Sequence, residues 1–262
     1  MIATIRAELV KVLRRRVLVI TALTSAVFAV GGAAIVLAAA EPAGQRATGR
    51  GVTVASLAQA GGGTEVFTTA ASFVGTFLFV VFVGVVAVEF SRGTFRTMLM
   101  YQPRRLRLLA GKLTALLGFA AGVLAGTEVL TWAAAKLLAP TQDVATGTWF
   151  SAAALGHAVA DYGSVLFWIS GYAVLGTMLA VLVRSVPVAL AIGIAWAGPF
   201  EHLLQDAWGP AGRVFPGLLL EAFVAGGTEE VSATRAFLTV AVYVIAATAV
   251  AGTVFARRDV TA

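Results

Sequence analysis

The chain of 262 residues has no cysteine, two histidines and three lysines, and only 12% of its residues are charged. Each shortage removes a class of chemistry. Without cysteine there is no disulfide, no thiolate metal site and no sulfur nucleophile. His157 stands four residues before Asp161, and Glu201, His202 and Asp206 cluster, but neither group has a third histidine or the spacing of a zinc-binding helix. Both read as ordinary interfacial residues, no metal is expected, and two histidines offer no Ser/His/Asp arrangement. A loop that cradles nucleotide phosphates ends in Gly-Lys followed by Ser or Thr. Lys11 follows Val10, Lys136 follows Ala135, and Lys112 follows Gly111 but precedes Leu113. The chain is therefore not expected to hydrolyse ATP or to act as an enzyme by itself.

What is present in excess is apolar residues, at 59% of the chain, with a mean hydropathy of +0.91. A soluble domain carries roughly 25% charged residues, so this chain is not one. A helix crossing about 30 Å of hydrocarbon needs roughly 20 apolar residues. The stretches 17–40, 66–88, 162–183 and 236–256 carry no charge at all; 113–135 is interrupted only by Glu128, and 186–204 is a shorter run that passes through Gly198-Pro199. The expectation is an all-α integral membrane protein with six transmembrane helices in one domain over 17–262, preceded by a separate segment over 1–16. The 24 uncharged residues of 17–40 exceed the apolar core of a signal peptide and read as an uncleaved anchor.

Lysine and arginine set the orientation. The amino-terminal segment, the second and fourth connections and the carboxyl tail together hold 14 of the 19 basic residues against three acids, a net +11. The remaining connections hold five against nine, a net −4, with Glu128 left in the membrane. Both termini are thus expected to be cytoplasmic. The overall +6, which in a soluble protein would suggest nucleic acid, becomes a topology signal, and no nucleic-acid partner is expected.

Two inner segments carry further information. On a helical wheel Ile2, Ile5, Leu9, Val12 and Leu13 share one face, with Lys11, Arg14 and Arg15 opposite and Arg16 leading into the first span. Residues 1–16 therefore read as an amphipathic helix at the inner leaflet, its basic side toward lipid headgroups. The connection from Glu89 to Lys112 offers Thr94 as an N-cap after Gly93, then Phe95, Met98 and Leu99 on one face until Pro103 stops the helix. This predicts a two-turn helix whose apolar side chains dock on another protein, or else lie on the bilayer or pack against the chain's own inner ends.

The order acid, Arg-Gly-Thr, apolar helix, Pro-x-Arg and Gly-Lys-Leu, carried by Glu89, Arg92, Gly93, Thr94, Leu99, Pro103, Arg105, Gly111, Lys112 and Leu113, resembles the segment between the second and third helices of type-2 ABC exporter permeases. The resemblance extends to the amphipathic first helix, the six spans and the cytoplasmic termini. It implies that Glu89–Arg105, including Phe95, Arg96 and Met98, is a coupling helix that fits a cytoplasmic ABC ATPase. That subunit would carry the ATP and magnesium, while this chain binds no cofactor directly. It also implies a dimer with a second copy or paralogue, an amphiphilic or hydrophobic cargo such as a drug, peptide or lipid, and a bacterial cytoplasmic membrane. The apolar outer connection 201–235, with Leu218-Leu219-Leu220, is similar to the family's re-entrant segment between the last two spans; a small outer domain is the other reading.

Glu128 is the acid that interrupts the run 113–135, and it costs a few kcal/mol there unless it finds a partner. It is a candidate for the substrate path with Phe73 and Phe77, or a hydrogen-bonding or interfacial residue. Gly118, Gly122 and Gly126 form a stripe that permits close helix approach within the chain or across a dimer. Two rival readings remain: a proton-coupled secondary transporter using Glu128, and a membrane scaffold or intramembrane enzyme.

Overall fold

A computed structural model describes residues 2–41, 52–72 and 75–258. Among these the chain is helical, with two isolated β-bridges and no strand. The helices are α1 (Ile2–Val12), α2 (Arg15–Ala38), α3 (Val54–Leu57), α4 (Gly62–Ser72), α5 (Gly75–Ser91), α6 (Thr94–Tyr101), α7 (Arg105–Leu138), α8 (Ala152–Val183), α9 (Val186–Ala195), α10 (Glu201–Ala207), α11 (Pro216–Val224) and α12 (Ala233–Arg257). Four helices, α2, α7, α8 and α12, are long and apolar enough to cross a membrane; a fifth span is available if α5 and α6 are counted together across their 75° bend. This is the architecture of a multi-pass membrane protein.

The described helices depart from the expected runs most at 66–88, which is divided between α4 (Gly62–Ser72) and α5 (Gly75–Ser91), and in where α7 and α8 begin. α7 starts at Arg105, two residues after Pro103, and α8 at Ala152, ten residues before its uncharged run. Neither start needs a long apolar stretch, because polar residues continue a helix wherever their backbone stays bonded. The run from Val186 does continue beyond Ala195, through a π turn at Trp196–Phe200 containing Pro199, into α10. Pro199 has no N–H to donate, and the wider turn is the local adjustment that accommodates it.

The chain divides into two compact units, and α7 and α8 each contribute one part to each of them. The first comprises Met1–Val12, Gly75–Phe119 and Trp168–Ala262. Its interior holds Val83, Phe95, Trp168, Ala173, Ala180, Leu219, Leu220 and Phe255. The second comprises Leu13–Val74 and Ala120–Phe167. Its core joins Ala33, Val36 and Leu37 of α2, Leu57, Val66 of α4, Ala134 and Ala135 of α7, and Trp149. The Trp149 indole N–H donates to the Leu57 carbonyl at 2.8 Å, closing the short α3 turn onto this core.

Gly62 explains the glycine triplet at 61–63: a Cβ there would overlap the Leu57 carbonyl, so the triplet is a close-packing device at the start of α4. Glu65 follows in the first turn of α4. Burial raises its carboxyl above the ordinary range, and a hydrogen bond from the Ser56 hydroxyl at 3.1 Å offsets part of that rise. At Gly118, Gly122 and Gly126 a side chain would meet open space, so no helix of the described chain uses that stripe.

Candidate functional site

Four stretches far apart in sequence meet at one end of the first unit: α1, the α5–α6 bend with the start of α7, the α8–α9 junction, and the end of α12. They are the segments in which the sequence concentrates its basic residues. Two contacts systems hold them together, one ionic and one aromatic.

The ionic system centres on Lys112, whose side chain is 2% exposed. Its Nζ donates to Glu8 Oε2 at 2.6 Å and to Glu89 Oε1 at 2.7 Å. Lys11, one turn along α1, donates to the other Glu8 oxygen at 2.6 Å and reaches Glu89 Oε1 at 3.3 Å. Two cations and two carboxylates thus tie α1, α5 and α7 into one cluster. Glu89 Oε2 is buried without a hydrogen-bond partner among the described residues.

Burial of the Glu8 carboxyl opposes ionisation, but hydrogen bonds from Lys11 and Lys112 outweigh it and hold the group below its ordinary value of 4.5. A carboxylate depressed in this way stabilises the fold fully above its unfolded value, and the contribution is lost as pH falls through the folded one. Melting temperature in detergent should therefore lose the Glu8 contribution only below about pH 4.5, with a shallower acid decline in Glu8→Gln than in the natural chain. Identical acid profiles for the two proteins would contradict the assignment.

The aromatic system is Phe90, Phe95 and Phe255. Their ring centroids lie 4.5 Å (Phe90–Phe95), 5.2 Å (Phe95–Phe255) and 6.0 Å (Phe90–Phe255) apart. The Arg184 guanidinium sits 5.3 Å over Phe90. Arg105 donates to the Arg258 carbonyl at 2.6 Å, and Arg258 in turn donates to the Leu182 carbonyl at 3.1 Å, so the last turn of α12 is tied to both neighbours.

Between α5 and α6 the backbone turns at Gly93, whose φ of 66° is left-handed. Glycine adopts that conformation without the Cβ penalty of other residues. Thr94 is consequently the first helical residue, with Gly93 in the cap position expected for Thr94. α6 then runs to Tyr101, and Pro103 lies just past its end.

The expected site residues do not all face the same way. Helical spacing puts Phe95, Met98 and Leu99 on one docking face, yet Phe95 is 0% exposed, because the 75° bend folds that face of α6 back onto Phe90 and Phe255. Met98 and Leu99 are half-buried, whereas Met100 and Tyr101 are 74% and 85% exposed. Arg92, Arg96, Pro103 and Arg104 are exposed around them. The solvent-facing apolar pair is thus Met100 and Tyr101.

The Lys11 side chain, 38% exposed, is engaged in the ion cluster. Arg14 is extended and breaks the helix after Val12, so Arg15 and Arg16 open α2 instead of continuing α1. Glu128 belongs to the second unit. Phe73 and the side chain of Phe77 lie outside the described residues.

Glu8 is the member of this cluster that composition and helical period do not single out. Its signal was an acid on the apolar side of α1, beside Ile5, Leu9 and Val12, where a charge is costly unless a partner awaits it. Comparison with known proteins finds no matching family model and no matching curated protein.

Proposed function

We propose that the chain is the membrane-spanning permease subunit of an ATP-driven exporter of the type-2 ABC class. Its six spans are α2, the 66–88 run, α7, α8, the broken α9–α10 path and α12, with α6 outside the membrane, and both termini lie in the cytoplasm of a bacterial cell. ATP and magnesium reside on a separate cytoplasmic ATPase, and two permease subunits assemble above two ATPases. The cargo is amphiphilic or hydrophobic.

The observation that carries this reading is the Glu8–Lys112–Glu89 cluster beneath an exposed short helix. A docking helix transmits motion only if it cannot tilt independently of the spans. Here α6 is anchored twice, through Phe95 in the aromatic cluster and through Glu89, one turn before the bend, on Lys112 of α7. α1 is clamped to the same lysine. A push on Met100 and Tyr101 would therefore reach α5, α7 and α1 together. The exposed arginines suit an acidic rim around an apolar groove on the partner.

The test separates docking from folding. Met100→Glu with Tyr101→Glu should leave the melting temperature within a few degrees of the natural chain and weaken co-purification with an ATP-hydrolysing partner by at least ~10-fold, as expected for central interface side chains. Phe95→Asp should instead destabilise the chain itself. Because the chain has no cysteine, Met100→Cys also gives a single cross-linking site. Unchanged partner recovery and unchanged coupled ATP turnover in the double variant would overturn the reading.

A further inference from the structure

The second unit contains a cavity of about 590 Å³ that the coupling end does not use. Its walls include Thr64 of α4, Glu128 and Trp132 of α7, Trp149 and Phe150, and Tyr162 of α8. Glu128 Oε1 is buried with no hydrogen-bond partner among the described residues. A buried carboxylate oxygen without a donor is unfavourable, and so marks a place where a donor or cation is to be supplied. Asp161, one turn along α8 from His157, is close enough to interact electrostatically with Glu128 and adds to the negative potential.

The rest of the wall is aromatic. Trp132 and Phe150 form an edge-to-face pair with centroids 4.9 Å apart. That pair already holds an ammonium group: Lys136 Nζ lies 4.1 Å from the Phe150 centroid and 5.8 Å from that of Trp132. Lys136 stands eight residues beyond Glu128 on α7 and gives no hydrogen bond to Glu128 Oε1. Tyr162 donates to the Ala121 carbonyl of α7 at 3.0 Å, fixing one wall of the cavity beside Glu128.

We propose that this cavity binds a lipophilic organic cation, with the positive centre at Glu128 and the apolar body against Trp132, Phe150 and Tyr162. A carboxylate supplies charge selection, and ring faces supply attraction to a weakly hydrated cation without requiring a hydrogen-bond donor. Phospholipid ammonium headgroups share that chemistry; the occupant proposed is a free cation entering from the membrane. The inference deepens the exporter reading by naming the charge class of its cargo, and rests on that reading only for transport. Binding is a property of this chain alone, so loss of the ATPase partner and loss of cation binding are separate failures.

The probe is tetraphenylphosphonium, and the full chain is placed in nanodiscs of an uncharged galactolipid, with empty discs as background. Saturable binding is expected, and tetraphenylborate, of the same shape and opposite charge, should show none. Glu128→Gln should bind at least ~10-fold more weakly, and Glu128→Asp should stay within a few-fold of the natural chain. A second readout needs no variant: tetraphenylphosphonium should protect Glu128 from modification by a hydrophobic carbodiimide, read by mass spectrometry, and tetraphenylborate should not. Equal binding of the two ions, natural affinity in Glu128→Gln, or no protection of Glu128 would overturn the proposal. Binding at least ~10-fold weaker in phosphatidylcholine discs would also overturn it, by assigning the site to the lipid headgroup.

Discussion

Replacing Lys112 by methionine should destabilise the chain by about 3–5 kcal/mol, the cost of removing one partner from a buried ion pair. The side chains of Lys112 and Glu8 are 2% and 3% exposed, so neither water nor a mobile counterion replaces the lost ammonium. Lys11 remains, but its side chain is 38% exposed and reaches Glu89 only at 3.3 Å. The predicted consequence is release of α1 from the bundle, seen as a lowered melting temperature and proteolysis between α1 and α2.

A triple variant in which Glu8 and Glu89 are also changed to glutamine should recover most of the loss, since an apolar or neutral cluster of similar volume is often as stable as the ion cluster it replaces. If the cluster serves coupling as well as stability, the triple variant will fold and dock yet show ATP turnover no longer stimulated by cargo. Additive effects of Lys112→Met and Glu8→Gln in a double-mutant cycle would show that the two side chains do not interact and would refute the cluster.

Glu201→Ala should cost about 2–3 kcal/mol, through the buried backbone donor it leaves behind. α11 has no side-chain cap of its own: Phe215 occupies the cap position, and the Leu218 N–H instead donates to Glu201 Oε2 at 3.0 Å. Glu201 is 1% exposed, and a Cβ on Gly217 would strike that same oxygen, so the carboxylate lies directly across the first turn of α11. An acceptor oxygen set across the first turn also faces the positive end of the helix dipole. Alanine removes both effects and leaves a void beside a cavity of about 370 Å³ lined by Phe79, Tyr172, Trp196 and Tyr243. Glu201→Gln keeps an acceptor oxygen and should lose no more than about 1 kcal/mol. Equal melting temperatures for the alanine and glutamine variants would show that the cap is not what the carboxylate provides. The test also bears on the connection 201–235: its Leu218-Leu219-Leu220 run is buried within the first unit, and the single acceptor that permits burial of the helix start comes from α10.

Some of this molecule can be read from composition and period alone. Long uncharged runs have one stable outcome in lipid, a helix that satisfies its own backbone, which is why α2, α7, α8 and α12 stand where such runs occur. Gly93 and Pro103 bound α6 for reasons local to the backbone, and so they too were legible. The glycine stripe at 118, 122 and 126 shows the limit: its spacing allows a close approach, but spacing does not say whether any helix comes.

Determined by the sequence itself, then, are the helical membrane class, the uneven distribution of basic residues, and the absence of any nucleotide-cradling lysine, because each depends on residue type and local order. Only the tertiary structure decided that Phe95 points inward and Met100 outward, that Lys112 pairs with Glu8 across more than a hundred intervening positions, and that Glu128 opens on an aromatic cavity. The reason is that an amphipathic period names a face of a helix but not its neighbour. Which face is buried was settled by a 75° turn at one glycine and by where two carboxylates found their lysine.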